Sequence, residues 1–531
     1  MATLVPPPSK KARREERERV AQASTSASGS NGPSAPNLVV SFSNAQDESS
    51  LGPAVRLPAD TDKAGLELLA NQLSKAQKKL QRHLDGEDDD DNEDDDEPVP
   101  FSFHVLLPGS DQRIPVHKDL WEVLKQNSQS LSTEDTIRVV CEPEAVFKVR
   151  LVTRCSSTLS GHGQPILCAS FSPTGNLLAT GSGDNTARIW DLSTELPKST
   201  LTGHTGWILC VEWDGYESTV ATGSMDNSVR IWDPKSGKAI GEPLKGHTKW
   251  ITSLAWEPIH LTSSSKMPRL ASASKDNSVR VWNPRQRRIE YALGGHTASV
   301  NSVKWAGDGI IYTASSDRTV KLWNSETGRL IRSLDAHAHW VNTLALNTDF
   351  VLRTGPYDHT GKVPKDEAEA RQRAAERYKA FIASNPEMLI SGSDDHTLFL
   401  WPNANSETPK KPLARLTGHQ KQVNHVAFSP DGKWIASAGF DNSVKLWDGR
   451  TGRFITSLRG HVGAVYRLSF SSDSRQLVSA SKDSTLKLWS LAKGKLIMDL
   501  PGHTDEVYCC DFVGDKIASG GRDKKVKIWK H

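Results

Sequence analysis

The chain has 531 residues, a formal net charge of +3, and 24% charged against 36% hydrophobic residues. That balance singles out no strongly charged partner. No apolar run approaches the roughly 18 residues that a membrane span needs, and no secretory leader opens the chain, so a soluble, non-secreted protein without membrane contacts is expected. The six cysteines (141, 155, 168, 210, 509 and 510) form no Cys-x-x-Cys pair and no zinc spacing; they read as buried thiols in a reducing compartment.

Residues 1–36 are rich in Pro, Ser and Ala and hold the cluster Lys10, Lys11, Arg13 and Arg14. Such a stretch cannot bury a core and reads as a disordered basic tail. Its cluster is either a nuclear import signal or part of a solvated charge run that continues through Glu15–Arg19.

A globular texture begins at Asn37. Leu38–Phe42 and Ala54–Leu57 read as a strand pair, and Asp62–Leu80 as a helix with Leu66, Leu68, Leu69, Leu73 and Leu80 largely on one face and Asp60 or Asp62 as its cap. Asp85–Glu97 is almost wholly acidic, which self-repulsion makes a solvated loop. This insertion at 85–97 is either without consequence or a contact for basic ribosomal or histone-like surfaces. Strands resume at Phe101–Val105, Ile114–Val116 and Thr136–Cys141, with a short helix at Leu120–Leu124. The order β-β-α-β-β-α-β over 37–148 resembles a ubiquitin-like, α+β β-grasp domain.

From residue 149 to 531 one phrase recurs eight times. A His is followed by a hydroxyl residue, and four residues after that hydroxyl comes an Asp. A Trp stands six residues beyond the Asp. In chain order the sets are His162, Thr180, Asp184 and Trp190; His204, Thr222, Asp226 and Trp232; His247, Ser272, Asp276 and Trp282; and His296, Thr313, Asp317 and Trp323. The remaining four are His337, Ser391, Asp395 and Trp401; His419, Ser437, Asp441 and Trp447; His461, Ser479, Asp483 and Trp489; and His503, Ser519, Asp523 and Trp529. The spacing predicts a hydrogen-bond relay in which carboxylate, imidazole, hydroxyl and indole satisfy one another. Left unpaired, each buried group would cost about 1–3 kcal/mol. Four residues after each His is a β-branched residue in an alternating, strand-like stretch.

The Gly-His and Trp-Asp ends resemble the WD-repeat family, which implies a mainly β fold: a propeller of four-stranded blades. Eight units imply eight blades. The strand Arg150–Leu159 has no blade of its own and the last unit lacks an outer strand, so one is expected to complete the other and close the ring. The fifth unit is stretched by residues 350–386. There Lys365–Lys379 is dense in Ala, Glu and Arg, predicting a charged helix projecting from the blade, either as an inert elaboration or as a docking element. A smaller insertion lies near Pro258–Pro268.

Eight copies of His, Asp and hydroxyl cannot be eight active sites, and no phosphate-cradling loop or metal-ligand motif is present, so no catalytic residue is expected and the chain reads as a non-enzyme. What remains is a surface. Residues three and five after each His, and the one before each Asp, point to one rim of a propeller channel. They include Trp207, Trp250, Trp340, Asn301, Asn342, Asn424, Tyr466, Tyr508, Lys275, Lys482 and Arg522. This composition is either an interface for a partner or a set of rings packed between blades.

A ubiquitin-like region, the linker Pro143–Arg150 and eight WD units together resemble the Notchless family of large-subunit ribosome assembly factors. Supporting phrases are Gly181–Trp190, Lys249–Pro258, Gly460–Tyr466 and Asp499–His503. The resemblance implies residence in the nucleus (nucleolus and nucleoplasm). It also implies a propeller seated on the pre-60S particle among ribosomal proteins, rRNA and other assembly factors, and no small-molecule substrate. It further implies that midasin, a giant AAA-type ATPase, grips the ubiquitin-like domain through an acidic side chain that completes a metal site. The matching stretch is Ser132–Thr136, with Glu134 as the ligand and Asp135 its nearest competitor. The chain would need no cofactor of its own, only the Mg²⁺ shared with the partner's adhesion-site domain. Other readings are an adaptor or substrate receptor in ubiquitin ligation, and a signalling adaptor of the Notch pathway.

Overall fold

The computed structural model describes residues 37–44, 50–58, 61, 65–73, 101–106, 113–115, 121, 136–143, 152, 154–262, 267–358, 363–403 and 411–530. It divides into two compact units, Met1–Val146 and Phe147–His531.

The first unit is a five-stranded sheet of β1 (Asn37–Asn44), β2 (Val55–Pro58), β3 (Phe101–Leu106), β4 (Arg113–Pro115) and β5 (Thr136–Pro143), in the order β2-β1-β5-β3-β4. The central pair β1 and β5 runs parallel, and the other pairs are antiparallel. That is the β-grasp arrangement. Helix α1, residues 65–73, sends Leu66 and Ala70 into a core with Leu38, Val40 and Phe42 of β1 and Phe103 and Val105 of β3. Alternate residues of each strand face this core, as the pleat dictates.

The second unit consists of eight four-stranded antiparallel sheets, one per repeat. In the eighth blade the outermost strand is β6 (Arg154–Ser160), which pairs with Lys525–Lys530. The end of the chain and the start of the propeller thus hydrogen-bond to each other, and no blade is left with three strands. Val152, fully buried, is pinned in the core between the seventh and eighth blades with Val507, Phe512 and Trp529. The fifth blade closes despite its insertion: Val341–Leu346, Leu389–Ser393, Thr397–Trp401 and Ala414–Thr417 form one sheet.

The turn after each Asp needs a left-handed residue. Asn185, Asn227, Asn277 and Asn442 supply it with φ of 64–68°, a conformation that Asn tolerates better than most residues. Asn227, Asn277 and Asn442 also donate to Thr248 O, Thr297 O and Val462 O of the next blade's loop, while Arg318, His396, Ser484 and Lys524 take the position in the other four turns.

The insertion does not project. It folds into α2 (Asp349–Thr354) and α3 (Glu367–Ser384), and both lie against the body of the wheel. Asp366 caps α3 by accepting from the Glu369 amide at 2.7 Å. The face carrying Ala370, Ala374 and Tyr378 is buried. A charge-dense sequence hides this amphipathicity because alanines rather than leucines mark the inward side.

Candidate interaction face of the propeller

Each repeat builds the same internal relay. The indole Nε1–H donates to the Ser or Thr hydroxyl at 2.7–2.9 Å. That hydroxyl lies 2.7–3.0 Å from His Nε2, and His Nδ1 lies 2.7–3.0 Å from the Asp. With the carboxylate accepting from Nδ1–H, Nε2 is left to accept from the hydroxyl, so all four groups are satisfied in one direction.

Individual blades show how little the relay varies. In the first, Trp190 donates to Thr180 at 2.9 Å, and Thr180 stands 3.0 Å from His162. In the second, Trp232 donates to Thr222 at 2.8 Å, and Thr222 stands 2.8 Å from His204. In the seventh, Trp489 donates to Ser479 at 2.8 Å, and Ser479 stands 2.7 Å from His461. Thr180, Thr222, Ser437 and Ser479 are wholly closed to solvent, and Trp190, Trp232, Trp447 and Trp489 nearly so. These residues therefore belong to the interior of the blades and form no part of any surface that a partner could touch.

In the first blade Asp184 also accepts from the Gly163 amide and from the amide and hydroxyl of Thr186. Burial works against its charge, yet these bonds and His162 hold its carboxyl down at about 2. The imidazoles are closed to solvent. Neither an accessible base nor a free hydroxyl is left for chemistry, so the relay is a structural fastening. Among the described residues, no three His, Cys, Asp or Glu side chains are grouped to hold a metal ion.

Since each innermost strand starts beside its His, the loop before it and the turn holding the Asp share one face. On that face Trp207, Trp250 and Trp340 are 51%, 40% and 52% exposed. They do not pack away between blades. Lys275 Nζ stands 4.5 Å from the Trp250 ring centre, and His339 lies 5.3 Å from Trp340. Across the ring Tyr466 and Tyr508 are half-buried, with ring centres 5.6 Å apart, and the Tyr466 hydroxyl donates to Glu506 at 3.1 Å. Lys482 and Arg522 are exposed and flank the same Glu506, each at 3.9 Å. The asparagines serve the wheel itself. Asn301 donates to Val341 O and Asn424 to Val465 O, each stitching one blade to the next, while Asn342 donates to Asp394 within its own blade. Exposed aromatic anchors surrounded by polar side chains are what a protein partner's apolar side chains would meet.

The opposite mouth of the channel is obstructed. Arg353 of α2 reaches Asp511 on the innermost strand of the eighth blade at 2.5 Å and the carbonyl of Phe171 in the first at 3.4 Å. Lys304 pairs with Asp349 at 3.1 Å. Tyr357 donates to Tyr216 O in the second blade, and Arg450 of the sixth donates to Ser384 O at the end of α3. Tyr378 of α3 stacks on His260 of the third-blade insertion at 4.5 Å and donates to Glu387 at 3.2 Å. Burial and the neighbouring Asp308 push the Glu387 carboxyl up to about 7, against bonds from Thr348, the Gly307 amide and Tyr378. The channel is therefore a well of about 430 Å³ lined by side chains such as Glu212, His425 and Arg467.

Arg353, Tyr378, Glu387 and Asp511 were not singled out by the repeat pattern. A signal existed for one of them: eight residues after the His, the innermost strands carry Ser170, Ala255, Ala345, Ala427 and Ser469, but Glu212, Lys304 and Asp511 in the other three. Glu134, Asp135 and the basic cluster Lys10, Lys11, Arg13 and Arg14 lie outside the described residues, as does the acidic stretch 85–97; β5 begins at Thr136.

Fold and relay define this chain as a WD-repeat propeller protein with a separate β-grasp unit ahead of the wheel. The WD domain, G-beta repeat family matches residues 153–191, 196–233, 237–283, 287–324, 410–448, 452–490 and 494–530; the blade it passes over is the fifth, where the insertion parts the motif. The NLE (NUC135) domain family matches residues 38–110. The chain is 47% identical to Ribosome assembly protein 4 of Saccharomyces cerevisiae over 469 residues, covering 86% of this chain and 85% of that one. It is 55% identical to the Notchless protein homolog of Arabidopsis thaliana, covering 68% and 73%, and 44% identical to Protein Notchless of Drosophila melanogaster, covering 72% of each. Among solved structures, the computationally designed Ika8 protein superposes with a TM-score of 0.56 at 25% identity, over 71% of this chain and all of that one. The chain belongs to the Notchless/Ribosome assembly protein 4 family.

Proposed function

We propose that this chain is a non-enzymatic assembly factor of the large ribosomal subunit, docked on the pre-60S particle in the nucleus by its propeller. The observation that carries the reading is kinship along 86% of the chain with a relative named for ribosome assembly; the family makes it a WD-repeat protein of ribosome biogenesis. The closed wheel supports it physically. A ring whose last blade is fastened by its own first strand, and whose far mouth is braced across the channel, keeps its shape under load. The exposed Trp207, Trp250 and Trp340 supply anchors for the cargo.

In this reading the β-grasp unit is the handle. Glu134, just ahead of β5, offers a carboxylate oxygen to a divalent cation held by a midasin-type AAA ATPase. Mg²⁺ takes few protein ligands and keeps waters, so one added carboxylate completes its shell. ATP hydrolysis in the partner then remodels the particle and frees the factor.

Two measurements test this. The full chain should sediment with large-subunit precursors on a gradient, and absence from those fractions defeats the reading. Glu134→Ala should abolish magnesium-dependent binding to the ATPase's metal-site domain while Asp135→Ala retains it. Equal binding by wild type and Glu134→Ala would remove Glu134 from the mechanism.

A further inference from the structure

A further surface lies away from the tryptophan face, on the outer rim of the end of the blades that carries the brace. It is formed by the turns leading into the outermost strands of the second, third and fourth blades. They carry Lys235 and Lys238, then Arg285, Arg287 and Arg288, then Arg329, all exposed. The nearby acids are fewer, and Asp233 is occupied by its own turn, accepting from the Lys235 amide and the Ser236 hydroxyl.

One of these cations sits where the backbone disfavours it. Five residues after the Trp, the corresponding turns hold Gly237, Gly328, Gly452 and Gly494, with φ of 68°, 66°, 67° and 59°. The third blade holds Arg287 there instead, at φ 53°. A non-glycine residue in this region is strained. The first blade makes the same exception with Glu195, at φ 56°, whose carboxylate accepts from Ser156 at 2.6 Å and from Lys530, fastening the strand that closes the ring. The Arg287 guanidinium lies over Gly241, so close that a Cβ there would stand 2.0 Å from its Cζ. It therefore reaches from the third blade onto the segment of the second that follows Lys238, so the exposed cations of the two turns lie along one rim.

We propose that this arc, from Lys235 to Arg329, is a docking surface for an RNA phosphate backbone; the inference rests on the ribosome-assembly reading above and gives that contact its chemistry. Arginine forks and lysines on successive turns suit a line of phosphates. A protein partner would want an aromatic anchor, and the three turns present no exposed aromatic ring. Those rings are at the other end of the blades.

The test is fluorescence anisotropy of a labelled RNA hairpin with the full chain across a salt titration. The variant Arg287→Gly/Arg288→Ser/Arg329→Ser is built to fold, since glycine is what the sister turns use at that position. Its log affinity against log salt should lose about 0.9 in slope for each phosphate contact removed, about 2–3 in all, with affinity falling tenfold or more. Lys493→Ser/Lys495→Ser, exposed in the corresponding turn of the seventh blade, should leave the slope unchanged. An unchanged slope in the triple variant overturns the proposal. So does polyglutamate that binds as tightly as the hairpin and through the same three arginines, since that would make the partner an acidic protein. Failure of the underlying reading would be seen separately, as a wild-type chain that binds the hairpin through these arginines yet never sediments with large-subunit precursors.

Discussion

Arg353 Nη2 lies 2.5 Å from Asp511 Oδ2, joining a helix that leaves the fifth blade to the innermost strand of the eighth. The same carboxylate accepts from the Phe171 amide of the first blade at 2.9 Å. One ion pair thus braces the channel from side to side, next to the seam where the ring is closed. Burial favours loss of the Arg353 charge, but Asp511, joined by Glu212 and Asp349, more than offsets it and holds the guanidinium above its ordinary value.

Removing one member leaves the other short of its partner. Arg353→Met should lower unfolding stability by about 2–4 kcal/mol, toward the lower end because channel water reaches the guanidinium. Denaturant midpoints check it. The double variant Arg353→Met/Asp511→Asn should recover part of the loss, and a strictly additive loss would show that the two side chains do not act together.

Gly307 tests how firmly α3 is seated. Gly307 sits in the turn between the first two strands of the fourth blade, and a Cβ built there stands 2.1 Å from Cε2 of the Tyr378 ring. Gly307→Ala should unseat the helix at a cost of about 1–3 kcal/mol. Limited trypsinolysis should then cut at Arg371, Arg373 or Arg377 faster than in the wild type, while the blades stay resistant. Identical cleavage kinetics would mean that the ring of Tyr378 is not what holds α3.

The relays should respond as units. Ser437→Ala deprives both Trp447 Nε1–H and His419 Nε2 of a partner inside the sixth blade. A loss of about 1–3 kcal/mol is expected by calorimetry, larger than for Thr451→Ala in an exposed turn of the same blade. Equal losses at the two positions would show that the relay is no stronger than a surface turn.

Acid should loosen the wheel. His162 and His247 are pulled down by burial, against the attraction of Asp184 and Asp276. The unfolded chain therefore takes up protons first, so their contribution is complete above the ordinary histidine value of 6.5 and declines as pH falls below it. Asp184 and Asp276 sit at about 2 against an ordinary 3.8. Burial opposes that shift, but hydrogen bonds from Thr186, Ser278 and backbone amides outweigh it. A depressed carboxyl contributes stability above its unfolded value and loses it as pH falls through the folded one. Glu387 and Asp214, raised by burial to about 7 and about 6, work the other way: the folded chain takes up their protons first, so they oppose the imidazoles between about pH 7 and 4. The melting temperature should drop steeply below about pH 4, and a profile that stays level down to about pH 2 would show that Asp184 and Asp276 are not held down by the fold.

Much of this architecture was legible in the order of residues, because each relay closes within one blade. His162 and Asp184 are 22 residues apart and His204 and Asp226 likewise, so the periodic cost of unpaired polar groups leaves a periodic mark. The same holds for the Trp232 to Thr222 and Trp489 to Ser479 bonds, each spanning 10 residues. The blade count, the borrowed closing strand and the exposed tryptophans follow from that mark, and alternation in β1, β3 and β5 exposed the β-grasp core. The seating of α2 and α3 left no such trace. Arg353 meets Asp511 across 158 residues, and Arg450 meets Ser384 across 66; each pairing occurs once, between unlike elements. Ring closure alone brings those elements together, so only the tertiary structure could turn a charged insertion expected to project outward into the brace beneath the channel.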